Sequence, residues 1–194
     1  MKYYHIDRNN TLSEGQIIST QKNFIPNNSD GIFLVEKLFP NGVSMHGAHY
    51  LDDNMYFFYR TKALIEEIYN SNNINSIYFA EYAFELIRRL FFPSKPSRYE
   101  SLFALENLND IKMWSELTNN NYRVFEIETN DIFETFDANF LRGGLCFNAK
   151  ELYQGFSPSI NFKLAFSYWS GEKSNVPKPE VLLPLPITIG KQII

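Results

Sequence analysis

Pro177-Lys178-Pro179-Glu180-Val181-Leu182-Leu183-Pro184-Leu185-Pro186-Ile187-Thr188-Ile189 sets one carboxylate, Glu180, at the head of an uncharged apolar run. Prolines at 177, 179, 184 and 186 argue against a helix, because each lacks an N–H and disfavours helical geometry in the residue before it. The stretch reads as an interrupted strand. Val181, Leu182, Leu183 and Leu185 would anchor it in a core and hold Glu180 at its mouth with little freedom. A carboxylate fixed beside apolar walls suits the stabilisation of positive charge in a transition state. An ordinary strand end carries the same residue types.

On either side, 161–169 and 187–193 read as further strands. In 122–128, Phe125 and Ile127 alternate with Glu126 and Glu128, the signature of a half-buried strand. A strand over 97–105 would project Ser97, Tyr99, Ser101 and Phe103 to one side, with Arg98 and Glu100 on the other. The first set suits a pocket wall for a flat ring, and equally a strand with a polar outer end. Residues 2–6 form a short strand containing His5.

Helices are expected over 61–70 and from an N-cap at Ser76 to Pro93, the latter facing inward through Phe79, Ala83, Leu86, Ile87 and Leu90. A third follows Asn107 or Asn109, with Ile111, Trp114 and Leu117 inward. Residues 11–18 suggest a helical turn or two closed by Gly15. Residues 24–54 suggest irregular structure with short strands such as 31–35. No repeat or linker divides the chain, so 1–194 reads as a single α+β domain.

Composition bounds the function. At 194 residues there is room for one substantial core, and the 16% aromatic share fits either that core or a surface that stacks a ring. A net charge of −4 provides no global field toward nucleic acid or an anionic membrane. A lone cysteine, Cys146, excludes an internal disulfide and a thiolate metal cluster within one chain, which fits a reducing cytoplasm. Its apolar neighbours favour a buried, neutral thiol. Neither a signal core nor an apolar run of membrane-spanning length is present. His46-Gly47-Ala48-His49 with Asp52-Asp53 has ligand-type side chains, but the glycine and the polar surroundings favour a solvated loop, and no metal is expected. Gly143-Gly144 lacks a phosphate-loop pattern and reads as a turn.

Three segments recur in a familiar order: Tyr3-Tyr4-His5-Ile6, Ser97-Arg98-Tyr99-Glu100-Ser101-Leu102-Phe103-Ala104, and Pro179-Glu180-Val181-Leu182-Leu183-Pro184-Leu185-Pro186-Ile187. Together they resemble the ADP-ribosyltransferase superfamily, in particular one of its uncharacterised bacterial branches. The resemblance implies a split, mixed β-sheet with flanking helices and NAD in the cleft between its halves. It implies that His5 orients the adenine-side ribose and the nicotinamide amide, and that Glu180 is the catalytic glutamate on the nicotinamide ribose. Tyr99 would stack on nicotinamide, or Ser101 would brace the glutamate; Phe103 belongs to the same lining. Arg98 would meet the diphosphate or form a structural ion pair. Two departures stand out: Ile6 follows His5 where the poly-ADP-ribosylating branch has glycine, and Lys178 stands where a Gln or Glu precedes the glutamate in arginine-modifying toxins. The acceptor is therefore open among protein, nucleic acid and small molecule. A non-catalytic nucleotide- or protein-binding domain of the same fold is the alternative, and a metal hydrolase built on His46 and His49 a distant third.

Overall fold

The computed structural model describes residues 1–26, 29–51, 74–118, 121–141, 145–148, 153–156 and 158–194. The architecture is α+β. Strand β8 (Pro179–Pro184) is the middle of a sheet ordered β3-β8-β5, between β3 (Ser101–Ala104) and β5 (Thr135–Asp137). Its prolines lie at its two ends, where a missing N–H disturbs the ladder least. Alternation along β8 then assigns its faces. Leu182 joins a core with Phe84, Ile87, Phe136, Tyr168 and Trp169, whereas Val181 and Leu183 join one with Tyr3, Phe125, Ile127 and Ile189. Glu180, two residues before Leu182, faces the first of these. Each fully buried Phe or Leu contributes about 1.5–3 kcal/mol, more than a typical hydrogen bond, so these cores fix the register.

The strand over the N-terminus is present as β1 (Lys2–Asp7), antiparallel to β4 (Arg123–Glu128) from Lys2↔Glu128 to Asp7↔Arg123. Phe125 and Ile127 are buried as their alternation requires. Tyr4 and Leu105 exchange backbone hydrogen bonds of 2.8 Å, which lays β1 beside the end of β3. Short β2 (Ile17–Ile18) pairs with β9 (Ile187–Thr188), and β6 (Leu145–Asn148), which carries Cys146, pairs with β7 (Tyr153–Phe156). Every ladder among the described residues is antiparallel, where a mixed sheet was expected.

Several elements differ from expectation for identifiable reasons. Residues 98–100 form a 3₁₀ turn and only Ser101–Ala104 is strand. Ser97 Oγ accepts from the Tyr99 N–H (3.2 Å) and Ser97 O from the Ser101 hydroxyl (2.7 Å), local bonds that compete with a ladder. Residues 161–169 lie in helix α4 (Pro158–Trp169); exposed Phe162 and Phe166 beside buried Asn161 hide its helical stripe. Within 24–54 lie α1 (Ser29–Leu38), which contains 31–35, and α2 (Met45–Leu51), which contains His46 and His49. Ser44 starts α2, its Oγ accepting the Gly47 N–H at 3.0 Å.

Helix α3 (Ile74–Phe91) begins before Ser76 and buries Ala80, Phe84 and Ile87, while Leu86 and Leu90 are exposed. Its inward face is rotated from the expected stripe because Glu81, Glu85 and Arg88 are also buried there. The helix after Asn107 is 3₁₀ over Leu108–Leu117, with Ile111 inward. Residues 11–18 hold a turn at Gly15 (φ +79°) leading into β2, because Gly15 and Gln16 bond Ile189 across it. The strand expected over 187–193 is confined to β9, with Gln192 bridging Phe125. The expected helix over 61–70, the Asp52-Asp53 pair and the Gly143-Gly144 turn lie outside the described residues. No described helix is long and apolar enough to cross a membrane.

Candidate functional site

Glu180 begins β8 facing the α3 and α4 helices, and it is only 2% exposed. A buried polar group needs hydrogen-bond partners, and Glu180 has two. Both are on one oxygen: Arg98 Nη1 and the Tyr168 hydroxyl (2.7 Å) donate to Glu180 Oε1. Among the described residues, no group hydrogen-bonds Oε2.

Arg98 is brought there by the 3₁₀ turn, which turns its side chain into the interior instead of across a strand face. Its Nε and Nη2 grip the two oxygens of Glu81 on α3, each at 2.8 Å, and Nη1 also donates to the Tyr168 hydroxyl at 2.8 Å. The guanidinium lies 4.7 Å from the centre of the Phe103 ring and 5.4 Å from that of Tyr168. Burial works against its charge, but Glu180 and Glu81 raise its pKa well above the ordinary arginine value. Burial likewise opposes ionisation of Glu81, yet Arg98 and then His46 hold that carboxyl well below the usual range. His46 Nε2 is 3.4 Å from Glu81 Oε1 but not aligned to hydrogen-bond it. One turn further along α3, Glu85 accepts from Arg88 (2.8 and 3.0 Å), Arg89 (2.7 Å) and the Ser97 hydroxyl (2.9 Å), so α3 also anchors the residue that starts the Arg98 turn.

His5 joins through the sheet. Its Nδ1 is 2.7 Å from Phe103 O. A carbonyl only accepts, so Nδ1 carries the hydrogen and the neutral ring keeps Nε2 as an acceptor. Burial lowers the His5 pKa, partly offset by that bond, which favours the neutral form. The Phe103 ring is also 4.5 Å from the His46 ring. Residues from β1, α2, the 3₁₀ turn, β3 and β8 thus form one continuous set of contacts: His5, Phe103, His46, Arg98 and Glu180.

Two expected site residues are engaged elsewhere. Tyr99 is buried with its ring stacked on Phe39 (5.1 Å, 24°), in a core with Val43, so its face is already covered. Ser101 directs its hydroxyl to Ser97 O. Neither hydroxyl bonds Glu180 in this arrangement. The 3₁₀ turn is the cause, since it breaks the alternation that would have lined up Tyr99, Ser101 and Phe103.

Glu81, Tyr168 and the site role of His46 are absent from the sequence reading. Glu81 looks like a solvated helix acid until the buried face of α3 is known, and Tyr168 sits in a segment that reads as strand. A signal was available: Glu81, Glu85 and Arg88 recur at helical spacing alongside Phe84 and Ile87, which is unusual for an exposed face. Among the described residues no group of three or more His, Cys, Asp or Glu side chains could hold a metal ion.

The arrangement sets two carboxylates against one guanidinium, beside a neutral imidazole and a half-buried phenyl ring. It can present negative charge to a group that becomes cationic, and a hydrogen-bond acceptor to a hydroxyl or amide. No curated protein matches the chain. A family model does, over residues 3–194, and its description is "Protein of unknown function (DUF2441)". The chain therefore belongs to the DUF2441 family.

Proposed function

We propose that this protein is an NAD-dependent ADP-ribosyltransferase acting in the cytoplasm, with the β1–β4 pair and the β3-β8-β5 sheet as the halves of a split sheet. The observation that carries the reading is the asymmetry at Glu180. Arg98 and Tyr168 both donate to the same carboxylate oxygen, Oε1, which fixes the orientation of the carboxylate as a group meant to engage a ligand requires. The sequence resemblance in the His5, Arg98–Ala104 and Glu180–Leu183 segments supports the same assignment.

In the reaction, the bond between nicotinamide nitrogen and ribose C1′ breaks, and nicotinamide leaves with the electron pair. Positive charge develops on the ribosyl centre, where Glu180 stabilises it. An acceptor nucleophile then bonds to C1′ and gives up its proton to solvent or a base. His5 Nε2 would accept from a ribose hydroxyl or the carboxamide of the bound dinucleotide, and Phe103 would supply an apolar wall. The acceptor is open among protein, nucleic acid and small molecule; water gives simple NAD hydrolysis.

A second reading, a non-catalytic nucleotide- or protein-binding module, is favoured by one observation: the 2% exposure of Glu180. Incubation with NAD separates them. The enzyme reading expects nicotinamide release that falls by about a thousandfold in Glu180→Gln, in line with the loss of a main electrostatic group. NAD binding with no release would favour the module, and neither binding nor release would end both NAD readings.

A further inference from the structure

We infer that Arg98, Tyr168 and Glu81 form a positioning unit that orients Glu180, and that Arg98 is not a diphosphate ligand. This rests on the transferase reading above. The donor inventory comes first. Arginine only donates and a carboxylate only accepts, so the Tyr168 hydroxyl must accept from Arg98 Nη1 and pass its own hydrogen to Glu180 Oε1. The Nε hydrogen, both Nη1 hydrogens and one Nη2 hydrogen of Arg98 go to protein partners, and the guanidinium lies over the Phe103 and Tyr168 rings. At 4% exposure, turning it toward a diphosphate would break its two-pronged pair and leave the buried Glu81 carboxylate with only His46 beside it.

Charge gives each member a separate task. If Arg98 faced Glu180 alone, the pair would be neutral and would offer little to a cationic ribosyl centre. Glu81 takes Arg98's other prongs, so two carboxylates share one guanidinium and its charge is not spent on Glu180 alone. Tyr168 and Arg98 converge on the same oxygen, which limits rotation of the carboxylate and leaves Oε2 for the ligand. Glu81 is itself set by His46 from α2 and by its place on α3. None of the three touches the substrate; they act through Glu180.

The test uses the full chain, with Glu81→Gln and Tyr168→Phe compared with wild type for nicotinamide release from NAD and for calorimetric binding of ADP-ribose. The positioning role expects kcat to fall by about tenfold or more in each variant, while the KM for NAD and the Kd and stoichiometry for ADP-ribose stay within about twofold. Unchanged stoichiometry counts every molecule as folded and competent, which a purely structural defect would not preserve. Should Glu81→Gln fail to fold, Tyr168→Phe decides, because it removes one oxygen and keeps every charge. An unchanged kcat, or a matching loss of ADP-ribose affinity, overturns the proposal. If wild type releases no nicotinamide, the transferase reading itself fails and the positioning role falls with it.

Discussion

Glu180 is accommodated in the interior because a guanidinium and a phenol meet one of its oxygens there, and Arg98 in turn is paired with Glu81. Removing one member of such a set leaves charges buried without partners. Arg98→Leu is expected to destabilise the fold by about 3–5 kcal/mol in urea unfolding, and a loss below about 1 kcal/mol would contradict the burial argument. Glu180 stood out in the sequence as a lone carboxylate before an apolar strand, a pattern that an ordinary strand end shares. His5 was legible as a strand residue. What held them was not, because Glu81, Tyr168 and Arg98 are joined through space by bonds between three elements and no local spacing encodes that.

At the level of elements, the seating of α2 depends on a single residue, Gly47. A Cβ on Gly47 would lie 2.4 Å from Tyr99 O, and the Ser44 N–H bonds that same carbonyl at 2.7 Å. Only glycine lets the helix rest directly on the 3₁₀ turn, and that contact brings His46 to Glu81. Gly47→Ala is expected to cost about 1–3 kcal/mol through overpacking, seen as a lower thermal midpoint. A variant as stable as wild type would mean that α2 sits elsewhere. Strands β1, β4 and β8 were readable from alternation and continuous apolar runs. Helix α4 was not, because Phe162 and Phe166 face outward while Asn161 is buried, so its pattern carries no clear period. The 3₁₀ turn at 98–100 was hidden for a different reason: serine hydroxyls outcompeted the strand geometry that the flanking residues favour.

Across the whole molecule, buried ionisable groups tie stability to pH. Burial lowers the His5 pKa below its ordinary value of 6.5, so the unfolded chain takes up that proton first as pH falls. The stability tied to neutral His5 is thus complete above pH 6.5 and declines below it. Burial opposes ionisation of Asp7 and Asp137, but backbone N–H donors, with Arg123 at Asp7, lower both; Glu81 is lowered as well. Their contribution is full above the ordinary carboxylate range of about 4 and is lost as pH drops through their folded values. Urea unfolding across pH should therefore show two declines, and His5→Gln should lack the first. A variant that keeps the decline beginning near pH 6.5 would remove His5 as its source.

In the transferase reading, Glu180 keeps Oε1 on Arg98 and Tyr168 while Oε2 serves the ligand. A crystal structure of the chain with a non-hydrolysable NAD analogue tests this most directly. The expected result is a hydrogen bond of about 2.5–3.0 Å from a nicotinamide-ribose hydroxyl to Oε2, with the Oε1 contacts intact and His5 Nε2 against the ribose or carboxamide. A dinucleotide seated away from Glu180, or one whose diphosphate pairs with Arg98, would contradict it.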